Sequence, residues 1–487
     1  MSKQIMQPGR NVWKEAHAER VQFLVDGDSY YPRLKTVLEK ARRSVWIIGW
    51  DFNPYIKLDP INEPELTLGD FLRSLVERNE ELDIRVLIWD EGPIYSGRSL
   101  QLFMNLGWEK HPRIHLHFDT KHPLRASHHQ KLVCVDETFA FVGGMDLTAK
   151  RWDDRQHTAD NPLRVTPDGD PYEPTHDVQA LVQGKAAAVL TEVARTRWRW
   201  ATKEILRPHG PVHHDWPEGD LPDISGCYVG VALTQPGING HRRRTEAAKL
   251  TCDAISEAAK CIYIEAQYLV SNRVVAQLAR KLKEVDGPEV VILVPKTTRG
   301  IVEQMTMGNG LARYIRKLRK ADSHNRLLIA YAAVPGENEK EVEVLIHSKV
   351  VIVDEKFLRI GSSNLNKRSE GFDTECDIAI EAEDDQCRTA IVGLRNDLLA
   401  EHLSAKKEDV DRISRSQGSV LAAISALNVQ PRGLRIMQAE TGNGTSRFTN
   451  IALPIFDPKK PFWPLQRLKL RFVALMRRLR HSLVSLF

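Results

Sequence analysis

The chain has 487 residues, of which 42% are apolar and 27% charged, the balance of a soluble globular protein. That length excludes a single ordinary hydrophobic core and predicts two large units plus a tail. The net charge of +5 is uneven: eight Lys or Arg and no Asp or Glu lie from Lys459 onward, leaving 61 basic against 64 acidic groups in the body, which argues against a surface built for nucleic acid.

The opening Met1–Gly9 lacks the apolar stretch of a secretory signal, and no apolar run approaches the length of a membrane-spanning helix. Tyr30–Arg43 has helical periodicity and runs into the strand Ser44–Trp50; a helix over Leu68–Glu80 and a strand over Ile84–Trp89 follow. Thr245–Lys260 repeats this plan and runs into a strand from Cys261, followed by a helix over Arg273–Glu284 and a strand over Val290–Val294. Apolar strands alternating with amphipathic helices predict an α/β fold with helices on both sheet faces. The expected organisation is a first repeat over 1–206, a linker over 207–226 holding Pro208, Pro211, Pro217 and Pro222, a second repeat over 227–405, and an extension over 406–487 with one helix over Asp409–Leu427. The six cysteines form no CxxC pair and read as reduced, mostly buried thiols of a cytosolic protein.

One phrase occurs twice. His129-Gln-Lys131-Leu-Val-Cys-Val-Asp136 leads to Gly143-Gly144-Met-Asp146, and His347-Ser-Lys349-Val-Val-Ile-Val-Asp354 leads to Gly361-Ser362-Ser-Asn364, with every matched pair 218 residues apart. Such constant spacing indicates two copies of one unit. In an extended strand, side chains two apart share a face, so His129 joins Lys131 and His347 joins Lys349, while His128 faces away. Asp136 and Asp354 sit at hairpin turns, and the small residues after each return strand admit close approach of an anionic group. Two imidazoles and two ammonium groups suit phosphodiester transfer. One imidazole attacks phosphorus, the other moves the proton of the leaving group, and the lysines neutralise the non-bridging oxygens. Asp146 and Asn364 can reach the phosphate or a lysine. No metal or other cofactor is needed for this chemistry, and zinc at these positions is disfavoured because lysine is a poor ligand.

The doubled phrase resembles the signature of the phospholipase D superfamily, and the resemblance extends over roughly Val21–His402. Gly49-Trp50-Asp51, Gly144–Asp153 and Ile264–Tyr268 are similar to stretches of its eukaryote-like members. The resemblance implies two α/β repeats packed about a pseudo-dyad with one site between them. It also implies a ping-pong phosphatidyl transfer with His129 as nucleophile, His347 as general acid and base, and Lys131, Lys349 and Asn364 on the phosphate. Glu375 matches the family glutamate that orients a catalytic histidine, and Asp177 matches the corresponding acid of the first repeat. Asp136 and Asp354 complete the motifs and are grouped with the catalytic residues; Asp146, Gly144 and Ser362 are grouped with the phosphate-binding and supporting ones. Asp146 stands where an asparagine is more usual, so the two halves are not chemically equivalent.

The expected reaction is hydrolysis of glycerophospholipid to phosphatidic acid, with transfer to alcohols. A cardiolipin synthase-like phosphatidyltransferase is the first alternative, although such enzymes usually begin with membrane-spanning helices. A phosphodiesterase acting on nucleic acid conflicts with the acidic body, and an inactive lipid-binding scaffold conflicts with intact histidines and lysines in both copies. With both motifs in one chain, a monomer is expected. In the tail, Leu465, Leu468, Phe472, Leu475, Leu479, Leu483 and Leu486 form one helical stripe, with arginines largely off it. A basic amphipathic helix within 459–487 predicts peripheral attachment to an anionic membrane from the cytoplasm; packing on the body or on a protein partner are the competing roles.

Overall fold

The computed structural model describes residues 4–90, 107–123, 126–219, 221–238, 242–297 and 309–438. The expected tail helix lies outside these residues. At the centre of one continuous sheet, Lys14–Val25 and Ile224–Gln235 pair antiparallel, with Lys14 opposite Val231 and Val21 opposite Ile224. Outward on one side follow Val178–Gln183, Phe139–Gly143, Leu132–Val135 and Ser44–Gly49, each antiparallel to its neighbour. Asp83–Trp89 and Ile114–Asp119 then extend the sheet in parallel. On the other side Glu375–Glu381, Phe357–Gly361, Lys349–Val353, Cys261–Ala266, Glu289–Leu293 and Leu327–Pro335 follow in the same order with the same senses. The two repeats are thus related by a pseudo-twofold axis between the central strands, as the doubled motif predicts.

Period-two alternation assigns each strand residue to a layer. Trp46, Ile48, Leu132, Cys134, Ala140 and Val142 face a core that also contains Val350, Ile352, Leu358 and Ile360 of the second repeat. The long helices Lys185–Thr202 and Asp385–Leu403 close that core. The alternate residues face two separate cores. Val45, Ile47, Val133 and Val135 lie under the helices Asp26–Glu39 and Leu68–Arg78, and Ile262, Ile264, Val351 and Val353 under Glu246–Glu257, Asn272–Lys283 and Asn309–Ala321. One face therefore unites the halves and the other keeps them apart. The single helix expected over Asp409–Leu427 is two. Gly418, at φ 63°, ends Lys407–Gln417 in the left-handed region, and the Ser419 hydroxyl accepts from Ala422 N at 3.0 Å to cap Val420–Leu427. Among the described residues, no helix is long and apolar enough to cross a membrane.

The aspartate of each motif clamps a helix-to-strand junction. Asp136 accepts backbone N–H bonds from Arg42, Arg43 and Ser44 at 2.7–2.8 Å and faces His214 Nε2 at 2.7 Å. Asp354 accepts from Ala259, Lys260 and Cys261 at 2.7–3.0 Å. Burial raises the Asp136 carboxyl, but His214 and the three amides outweigh it and hold it below the usual range. A depressed folded value gives stability that is present above the unfolded value and lost as pH falls through the folded one. Asp136→Asn should therefore cost roughly 1.5–3 kcal/mol at neutral pH. The deficit should persist down to about pH 4 and shrink only as the pH falls further, through the folded value, measured by urea unfolding at neutral pH and at about pH 3.

Candidate active site

Short cross-connections between the halves build the site. His128 bridges to Thr374, and His129 N donates to Thr374 O at 3.0 Å, so the strand carrying Glu375 begins beside the first motif. In the other direction, Thr175 and His176 pair in parallel with Leu345 and Ile346, and His347 N donates to His176 O at 2.8 Å. Asp177, the next residue, thereby arrives beside the second motif.

The result is an exchange of acids. Glu375 of the second half lies 2.9 Å from His129 Nδ1, and Asp177 of the first half lies 2.6 Å from His347 Nδ1. Each carboxylate fixes one ring nitrogen and leaves Nε2 as the working atom. Glu375 is itself held by the hydroxyls of Ser362 and Ser369, both at 2.6 Å. Lys131 lies 3.1 Å from Asp146 and donates to His129 O. Lys349 donates to Gln267 Oε1 at 3.1 Å and to His347 O. Lys131 thus has a charged counter-ion within its own half, whereas its equivalent rests on a neutral amide.

The electrostatics show the four motif side chains gathered in one place. Burial lowers the proton affinity of both imidazoles well below the ordinary histidine range; Lys131 and Lys349 add to this at His129, and Lys349, Arg151, Lys131 and His129 add to it at His347. Burial brings Lys349 down to about 7 against the attraction of Asp177, and lifts Glu375 to about 8 against its serine donors. Burial also lifts Asp177 to about 6. The resting site gathers two lysines around unprotonated imidazoles, which prepares it for an anion.

Several expected members lie elsewhere or do something else. Asp136 and Asp354 do not join the catalytic group: the strands Leu132–Val135 and Lys349–Val353 carry them to the far ends of their hairpins, five residues and about 16 Å beyond Lys131 and Lys349 at ~3.3 Å per residue. Gly144 and Ser362 serve the acids rather than a substrate anion. A Cβ on Gly144 would lie 2.2 Å from Asp177 Oδ1, so the anionic group that approaches this backbone is the protein's own carboxylate. Asp146 reaches a lysine, as one of its two expected roles required, and also accepts from Trp50 N at 2.8 Å. Asn364 is buried, and its Oδ1 has no partner among the described residues. His128 is fully buried 3.2 Å from Asp119, in keeping with a structural role. Sequence reasoning did not single out Arg151, Gln267 or Ser369. The first two lie within the stretches that resemble eukaryote-like family members, and that was the available signal.

The comparisons agree with this architecture. A family model described as Phospholipase D matches residues 37–213, and one described as Cardiolipin synthase, PLD-like domain, matches 251–391. Phospholipase D A of Dictyostelium discoideum is 27% identical over 72% of this chain and 32% of its own length. Phospholipase D alpha 4 of Arabidopsis thaliana is 24% identical over 80% of this chain and 65% of its own. The chain thus spans between a third and two thirds of the length of these relatives. Among solved structures, a phosphatidylserine synthase of Haemophilus influenzae Rd KW20 aligns with TM-score 0.53 and 13% identity, covering 85% of this chain and 95% of that one. At that identity the likeness is one of fold.

Proposed function

Because this chain belongs to the phospholipase D superfamily, we propose that it cleaves glycerophospholipids on the headgroup side of the phosphate, in two steps through a phosphohistidine. The observation that carries the reading is the pair of imidazoles, His347 buried and His129 partly so, each held at Nδ1 by an acid from the opposite half, with Lys131 and Lys349 beside them.

In the first step, His129 Nε2 attacks phosphorus, and the bond from phosphorus to the headgroup oxygen breaks. His347 Nε2 gives its proton to that oxygen. The substrate phosphate brings the negative charge that offsets Lys131, Lys349 and Arg151, which restores the affinity of His347 for this proton in the complex. In the second step, water gives its proton to His347 as its oxygen attacks phosphorus, and His129 departs. An alcohol in place of water yields a transferred phosphatidyl group. The lysines stabilise charge on the non-bridging oxygens in both steps.

His347→Ala should lower kcat by roughly 10²–10⁴-fold, the usual worth of a positioned acid–base group. His129→Ala should remove turnover altogether. After a short acid-free quench with a slow substrate, peptide mapping should find the acid-labile phosphate on His129; finding it on His347 reverses the assignment.

The pH profile of kcat/KM reports the free protein. Its acid limb should lie below 6.5, since protonating His129 silences the nucleophile and burial with the two lysines depresses that step. Its alkaline limb should begin below 6.5 as well, because His347 must carry a proton and the free protein holds that proton weakly, and the fall should steepen near 7, where Lys349 loses its charge. Lys349→Arg, which keeps its charge, should remove the steepening and leave the earlier fall in place; an unchanged profile dismisses Lys349 as its source.

A second reading, phosphatidyl transfer to a lipid alcohol, is favoured by the match of the second half to the cardiolipin synthase-type description. Mass spectrometry of a mixed-lipid extract separates the two. Phosphatidic acid without ethanol and phosphatidylethanol with it support the hydrolase, a product bearing two phosphatidyl groups supports the synthase, and inert lipids overturn both.

A further inference from the structure

Behind Asp177 lies a second cluster that the proposed reaction does not use. Asp26 opens the first helix, His157 follows the first motif, His176 precedes Asp177, and Glu401 comes from the helix Asp385–Leu403 of the second half; all four are buried. His157 Nε2, His176 Nδ1 and Glu401 Oε1, with the two oxygens of Asp26, form a closed ring of contacts. His157 Nε2 lies 3.3 Å from Asp26 Oδ2 and 3.0 Å from Glu401 Oε1, and His176 Nδ1 lies 3.1 Å from Asp26 Oδ1 and 2.9 Å from Glu401 Oε1. The donor set fits together within 4.8 Å. A tetrahedron with bonds of about 2.0–2.1 Å to nitrogen and oxygen has edges of about 3.3 Å, close to these four contacts.

Three further observations point to a ligand. Asp26 Oδ2 and His176 Nδ1 are buried and make no well-directed hydrogen bond, although oppositely disposed atoms lie beside them. The far nitrogen of each imidazole is already engaged, with His157 Nδ1 2.8 Å from Asp153 and His176 Nε2 3.0 Å from Glu265. That is the carboxylate–histidine support that orients metal-ligating imidazoles. Charge points the same way. Asp26, Glu401, Asp153 and Glu265 outnumber the cations facing them, which are Arg155 on Glu401 at 2.9 Å, Arg164 on Asp153 at 2.9 Å, and Arg432, which feels Glu401, Asp26 and Asp153.

We propose that Asp26, His157, His176 and Glu401 hold one divalent transition-metal ion, zinc by preference, as a clamp between the two halves. The assignment is independent of the reaction at His129. Two carboxylate oxygens and two imidazole nitrogens closing all four positions make a structural site, with no place left for a reacting water. The ion joins the start of the first repeat to the last helix of the second. It also lies one residue from the acid behind His347, for Asp26 and Asp177 exchange bonds of 2.9 and 3.0 Å. The competing occupant is a pair of protons, one on each imidazole. Burial opposes them, but the surrounding carboxylates outweigh burial and hold both rings well above the ordinary histidine range.

Metal analysis of the full chain, loaded with zinc and desalted, decides between them. About one zinc per chain should be retained, and its removal by chelator should lower the melting temperature. A cobalt(II)-loaded sample should show the visible bands of a tetrahedral site. Glu401→Gln should keep its far-ultraviolet circular dichroism but lose the ion, whereas His402→Asn, outside the four ligands, should retain it. A wild-type chain that keeps neither ion and melts alike with zinc or chelator overturns the proposal, as does an undiminished zinc content in folded Glu401→Gln. If Glu401→Gln does not fold, wild-type metal content and chelator response settle the matter.

Discussion

The exchange of carboxylates across the pseudo-dyad is the constraint on which the site depends. A histidine in a buried, lysine-rich pocket has no inherent reason to present one nitrogen rather than the other. Glu375 and Asp177 supply that reason, and each comes from the half that does not own the histidine it orients. Neither repeat contains a complete acid–imidazole pair for its own motif. The short pairings of Thr374 with His128 and of Thr175–His176 with Leu345–Ile346 are therefore not incidental trimming of the sheet; they set which acid reaches which ring.

Around this exchange the repeats are similar in path and different in charge. Lys131 sits against Asp146, and Lys349 against Gln267. A lysine with its own counter-ion is nearly neutral as a unit, while Lys349, hydrogen-bonded to an amide and attracted by Asp177, is brought by burial to about 7 and so holds its proton far less firmly than a free lysine. The same fold thus supplies two chemically distinct halves, as two imidazoles with different duties require.

Much of this was legible in the sequence because strand periodicity and constant spacing are local signals. The doubled phrase located both histidines, both lysines and the existence of two repeats in the sheet, and resemblance supplied Glu375 and Asp177. What stayed hidden was pairing between distant segments. Nothing local says that Glu375 serves His129 rather than the nearer His347, or that Gly144 is small for the sake of Asp177. Asp136 and Asp354 were read with the catalytic group because they belong to the motif, but four or five strand residues carry them to junctions where backbone amides need an acceptor. The break at Gly418 was visible as a glycine, yet a glycine within an otherwise helical pattern does not by itself end a helix. The cluster of Asp26, His157, His176 and Glu401 has no spacing pattern at all, since its members come from four separate segments.

The central strand pair carries a consequence for how the polypeptide comes into being. Lys14–Val25 is made first, yet one of its two neighbours, Ile224–Gln235, is synthesised some two hundred residues later. Until then the emerging half presents a bare strand border, with unpaired backbone N–H and C=O groups, in the middle of what will become the sheet. A ribosome-bound intermediate with such a border is liable to pair with another nascent chain, so the interval between the two strands is when this protein most needs a chaperone.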